Sequence, residues 1–66
     1  MRLIVNGEER WFDRPLTAAS LLEALQAPAA RVAVMVNDEI IKRDQRAQRH
    51  LADGDRVELI HMVGGG

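Results

Sequence analysis

The residues best placed to do chemistry in this 66-residue chain are its last three, Gly64-Gly65-Gly66. Three residues of extended chain reach roughly 10 Å. Without Cβ atoms they can thread a channel too narrow for any other residue. What such an arm delivers is its own α-carboxylate, ionised at neutral pH and therefore a poor electrophile. A partner must activate it before a nucleophile can take the acyl group, and adenylation with ATP and Mg²⁺ is the chemistry that fits. The bland alternatives are a frayed end or an expression scar. Against both, the glycines follow directly on an apolar strand pattern.

Ordering three residues costs roughly 3–6 kcal/mol, so the arm cannot supply affinity by itself. A surface on the folded body must do so. The remaining inventory argues against catalysis by the chain alone. It holds one Ser (Ser20), one Thr (Thr17), one Lys (Lys42), two His (His50, His61), no Tyr and no Cys. Nothing among them sets up a base, an orienting partner and a pocket. The missing Cys also excludes disulfides, cysteine zinc sites and thiol nucleophiles. A domain this small buries only about 60% of its unfolded surface, which leaves little for a dry active site.

The elements that must present the tail can be read in order. Leu3-Ile4-Val5 reads as a strand and Asn6-Gly7 as a type I′ hairpin turn. Glu8 to Asp13 returns, with Val5 facing Glu8, Leu3 facing Arg10 and Met1 facing Phe12. Leu3, Val5 and Phe12 then share one face, and Ile4 and Trp11 the other. Trp11 is either a sheet-covering residue or a contact. Thr17 is the expected N-cap of a helix of roughly ten residues that runs to Pro28. Leu16 and Leu21 form its hydrophobic staple, and Ala18, Leu21, Leu22 and Leu25 its apolar stripe.

Val32-Ala33-Val34-Met35-Val36 alternates as a strand, Asn37-Asp38 turns, and Glu39 to Ile41 forms a short strand. Lys42 to His50 reads as a solvated irregular segment with room for one helical turn, and Leu51 tucks it onto the core. Its basic residues Lys42, Arg43, Arg46 and Arg49 read as a solvated loop, with steering of an acidic partner as the alternative. Asp53-Gly54-Asp55 is a third turn; it lacks the further ligands of a calcium loop. Arg56 to Val63 is the last strand. Val57 and Leu59 point with Val32, Val34 and Val36 toward the helix. Ala33, Met35, Ile60 and Met62 then look outward, joined by Ile4, and an outward apolar set beside the tail fits a partner site. His50 and His61 have no companion at ligand spacing, so no metal site is expected.

The order strand, strand, helix, strand, short strand, strand implies an α+β fold. It is a β-grasp arrangement, a mixed four- to five-stranded sheet packed on one helix. Residues 1–63 form the domain and 64–66 a flexible tail. Apolar residues make up 47% of the chain and the formal charge is −1. No basic excess suggests a nucleic-acid or anionic-membrane partner. No apolar run is long enough to span a bilayer, and the start lacks the apolar stretch of a signal peptide. The chain reads as a cytoplasmic protein.

The residues also resemble a family. IVNGEE (Ile4 to Glu9), LTAASLLEAL (Leu16 to Leu25), RVAVMVNDEI (Arg31 to Ile40), LADGDRVELI (Leu51 to Ile60) and the VGGG end are similar to the ubiquitin-like sulfur carriers of thiamine biosynthesis. That resemblance implies that an E1-like adenylyltransferase converts the Gly66 carboxylate to an acyl-adenylate. Sulfur from a cysteine desulfurase or persulfide then leaves a C-terminal thiocarboxylate, which thiazole synthase uses for the thiazole ring. It implies Gly64, Gly65 and Gly66 as the sulfur-carrying end, with Ile60, Met62, Val63, Met35, Ala33 and Ile4 as the partner-binding set. The chain departs from the family pattern at Asn37-Asp38, where Asn-Gly is common, at Lys42, where Pro is, and at Arg46, where an aromatic is. Other readings are a related sulfur carrier such as the small subunit of molybdopterin synthase, a ubiquitin-like protein modifier, or a β-grasp docking module without terminal chemistry.

Overall fold

A computed structural model describes residues 1–62. Strand β1 (Arg2–Val5) and strand β2 (Glu8–Trp11) form the expected hairpin, with Leu3 opposite Arg10 and Val5 opposite Glu8. Asn6 and Gly7 both adopt positive φ, 51° and 82°, as a type I′ turn requires. β2 stops at Trp11, two residues short of the expected Asp13. The hairpin closes through Met1 and Phe12, whose backbones exchange hydrogen bonds of 2.6 and 2.8 Å.

Helix α1 (Ala18–Ala24) begins at Thr17, whose Oγ1 accepts the Ser20 amide at 3.1 Å. The Ser20 hydroxyl oxygen accepts the Thr17 amide in return, at 2.7 Å. This is a capping box with Ser in place of the usual Glu. The helix is shorter than expected, and Pro28 does not end it. Gln26 turns left-handed at φ 56°, the Gln26 amide donates to Glu23 O at 3.0 Å, and the Ala27 amide to Leu22 O at 2.9 Å. That Schellman closure satisfies the last carbonyls two residues before the proline. Seven residues cannot hold a helix in water, so packing must. Ala18, Leu21 and Leu22 supply it by lying fully buried on the sheet.

A 3₁₀ turn (Ala29–Arg31), absent from the sequence reading, leads into strand β3 (Val32–Val36). Asn37 and Asp38 then make the turn to strand β4 (Glu39–Ile41), again with positive φ at both positions. Strand β5 (Arg56–His61) ends two residues before the expected Val63, which lies outside the described residues. The sheet has five strands in the order β2-β1-β5-β3-β4, with β1 and β5 parallel and the other pairs antiparallel. This is the ubiquitin-like β-grasp architecture. Leu3, Leu21, Val32, Val34, Val36 and Val57 fill the layer between sheet and helix. Each contributes about 1.5–3 kcal/mol by burial.

The polar run after β4 is exposed at seven of its nine residues, as its composition suggests, yet it is tied to the helix. It contains a 3₁₀ turn (Arg43–Gln45), and its backbone caps the helix. Arg49 O accepts the Ala18 amide at 2.9 Å and Arg46 O the Ala19 amide at 3.1 Å, two donors that the first helical turn leaves without partners. Arg46 itself is buried, at 7% exposure. Leu51 is buried as expected. In the Asp53-Gly54-Asp55 turn, Gly54 adopts φ 86° and Asp53 Oδ1 accepts the Arg2 amide at 2.7 Å, which pins the start of β1.

Candidate functional site

β5, which leads to the glycines, is the central strand. Its inward side chains alternate with outward ones because strand residues have a period of two. Val57 is buried under the helix, while Glu58 and Ile60 face out, Ile60 at 47% exposure. The register then decides which outward residues meet. Ala33 lies directly opposite Ile60, and Met35 lies opposite both Glu58 on β5 and Ile40 on β4. Ala33 and Met35 are half-buried, Met62 is exposed.

Ile4 shares this face but not this cluster. The parallel register places it beside Arg56, four residues before Ile60 along β5. Glu9 flanks it on the other side. The structure therefore groups Ile60, Ala33 and Met35 and sets Ile4 apart among charges. It adds Ile40, 69% exposed and paired with Met35. The sequence carried that signal: with Ile41 inward, its neighbour Ile40 must point out. Trp11 is 73% exposed on the edge strand β2, opposite Arg2.

The last described hydrogen bond of this region runs from the Met62 amide to Arg31 O, at 2.8 Å. It ties the end of β5 to the turn that precedes β3. Val63, Gly64, Gly65 and Gly66 lie outside the described residues. His50 and His61 are exposed, and no group of three or more His, Cys, Asp or Glu that could hold a metal occurs among the described residues. No helix is long and apolar enough to cross a membrane among the described residues.

The ThiS family model matches residues 3–66, the glycines included. This chain belongs to the ThiS family. Sulfur carrier protein ThiS of Escherichia coli (strain K12) is 32% identical over 66 residues, which cover all of both chains. Sulfur carrier protein ThiS of Bacillus subtilis (strain 168) is 35% identical, covering 97% of this chain and 98% of that one. A protein named thiazole synthase from Paramagnetospirillum magneticum is 41% identical over the whole of this chain, which spans only 20% of its length. The crystal structure of the thiamine biosynthesis protein ThiS from Geobacter metallireducens superposes with a TM-score of 0.88, at 38% identity and full coverage of both chains. The ThiS match agrees with the fold and with the resemblance read from the sequence.

Proposed function

We propose that this ThiS-family chain carries sulfur for thiamine biosynthesis on its C-terminal Gly66, as a co-substrate of partner enzymes and not as a catalyst. The observation that carries the reading is the end-to-end match to sulfur carriers, which takes in the body and the terminal glycines together. In the first step an oxygen of the Gly66 carboxylate attacks the α-phosphorus of ATP in an E1-like adenylyltransferase. Pyrophosphate leaves and an acyl-adenylate forms, with Mg²⁺ held by the enzyme. In the second, persulfide sulfur derived from cysteine attacks the acyl carbon and AMP leaves. A thiol then reduces the acyl disulfide so formed: it takes the donor sulfur as a mixed disulfide, and the thiocarboxylate is left on Gly66. Thiazole synthase is the proposed acceptor, a choice supported by thiazole synthases that contain a segment similar to this chain.

In this reading residues 64–66 are the arm and residues 1–63 the handle. Ile60, Met62, Val63, Met35 and Ala33 form the partner face beside the arm, extended by Ile40, with Ile4 at its margin. Half-exposed Ile and Met side chains provide apolar area that a partner can cover at little cost in polar desolvation.

Intact mass spectrometry tests the proposal. The chain is incubated with a ThiS-activating adenylyltransferase, ATP, Mg²⁺ and a cysteine-derived sulfur source. The expected product is heavier by the difference between one sulfur and one oxygen atom, and only when ATP is present. An unchanged mass overturns the proposal. So does a gain that persists without ATP.

A further inference from the structure

The turn that receives the end of β5 is held by two arginines. Residues Ala29 to Val32 present four consecutive carbonyls, and each has a partner. Ala29 O accepts from Arg46 Nη1 at 2.9 Å, Ala30 O from Arg43 Nη2 at 3.0 Å and Val32 O from Arg46 Nη2 at 2.5 Å. The remaining one, Arg31 O, accepts the Met62 amide at 2.8 Å.

Arg46 is an expensive way to fill this space. It is 7% exposed, its Nε has no partner, and among the described residues it makes no ion pair. A buried guanidinium compensated only by carbonyl dipoles costs stability relative to an apolar side chain of similar volume. What an apolar side chain lacks is the fork. A planar guanidinium donates in two directions at fixed geometry, and here it bridges two carbonyls three residues apart. The backbone of the same residue caps the helix through Arg46 O and the Ala19 amide. Arg46 thus joins the start of α1 to the turn beside the end of β5.

We infer that Arg46, assisted by Arg43, is a positioning residue: the two guanidinium groups fix Ala29–Val32 so that Arg31 O holds Met62 and sets where the glycine arm begins. The inference rests on the sulfur-carrier reading for its consequence, since a misplaced arm enters the activating enzyme less often in a productive pose. Docking of the body is a separate matter, because neither arginine belongs to the Ile60 face.

The test compares Arg46→Met, Arg46→Lys and Arg43→Met in the full chain by amide hydrogen exchange and by thiocarboxylate formation. In Arg46→Met, exchange at Met62 accelerates about tenfold relative to Val57, the effect of losing roughly one to two hydrogen bonds that support it. The kcat for thiocarboxylate formation falls about fivefold while KM stays within about twofold, because productive geometry and not binding is lost. Arg46→Lys recovers part of the rate, since an ammonium reaches one carbonyl but cannot fork across two. Equal acceleration at Met62 and Val57 overturns the inference, because it means general destabilisation. A raised KM with unchanged kcat also overturns it. If Arg46→Met does not fold, Arg43→Met decides: its side chain is exposed, and exchange at Met62 no faster than wild type overturns the inference. Failure of the wild-type chain to gain sulfur is a different result. It removes the carrier reading while the exchange data still decide whether the clamp holds Met62.

Discussion

The Leu59 amide donates to the side-chain Oδ1 of Asn6 across 2.8 Å, joining residues 53 apart in the sequence. Asn6 also donates its own amide to Val57 O at 2.9 Å. On the other side of β5, Asn37 Oδ1 accepts the Arg56 amide at 2.9 Å. Both asparagines sit at the first left-handed position of a hairpin turn, with φ of 51° and 50°. Each therefore turns its own hairpin and holds the strand that carries the arm. Substituting Asn6 separates the two jobs. Asn6→Gly keeps the turn and loses the bond, at about 1 kcal/mol. Asn6→Ala loses both, at about 2 kcal/mol. Urea midpoints at constant m-value read the difference; equal midpoints for the two variants contradict the assignment.

Gln26 occupies the left-handed position that ends α1, at φ 56° and exposed to solvent. Its backbone makes the closing hydrogen bond, and its side chain makes none among the described residues. Gln26→Gly keeps the bond and removes the strain of a side chain at positive φ. It should stabilise the chain by about 0.5–1 kcal/mol, raising Tm by about 3–6 °C. A lower Tm shows that the Schellman closure does not limit the helix.

Thr17 and Ser20 satisfy each other's amides, and their hydroxyl oxygens are 3.1 Å apart. Each residue therefore needs the other. Thr17→Ala should cost about 1 kcal/mol. The double Ala variant should cost less than the sum of the singles by about 0.5 kcal/mol, a coupling read from a denaturation cycle. Strict additivity contradicts a shared cap.

What could be read from the sequence was what short range decides. Asn6-Gly7, the alternation of Val32 to Val36 and the Thr17 cap depend on neighbours within a few residues, and all three stand in the structure. Gln26 was opaque because glutamine has no special taste for the left-handed region, so nothing marked the end of α1 before Pro28. Arg46 misled for the opposite reason. Its run from Lys42 to His50 is polar at every position but Ala47, yet its guanidinium reaches carbonyls 14 and 17 residues away. Those carbonyls belong to a turn that the sequence did not announce. Alternation correctly turned Ala33, Met35 and Ile60 outward. Only the parallel register of β1 with β5 sets Ile4 beside Arg56 and away from them.

Deleting Gly66 removes the carboxylate from its expected reach and leaves every described hydrogen bond in place. The variant should melt like wild type, within about 0.5 kcal/mol, since none of the described contacts is lost. It should also compete with the full chain for the activating enzyme, yet take up no sulfur. Intact mass and competition kinetics check the two halves. Sulfur uptake by the shortened chain means that the length of the arm does not matter.

A charge on the proposed partner face should produce the reverse pattern. Ile60 is 47% exposed, pairs with Ala33 in the sheet and lies outside the buried core cluster. In Ile60→Lys the long stem can lie along the sheet while the ammonium stays in water, so the fold survives. Glu58 lies two residues away on the same face and lessens the disturbance in the free chain. Covering that ammonium with an apolar partner surface carries a desolvation penalty that the free chain does not bear. KM for activation should rise about tenfold or more with kcat little changed, the signature of lost uniform binding. Ile40→Lys, one strand beyond Met35, should raise KM by less. If Ile60→Lys lowers kcat and spares KM, the face acts on the arm and not on docking. If it changes neither, the body is held through another surface, and the exposed apolar set beside β5 has no part in recognition.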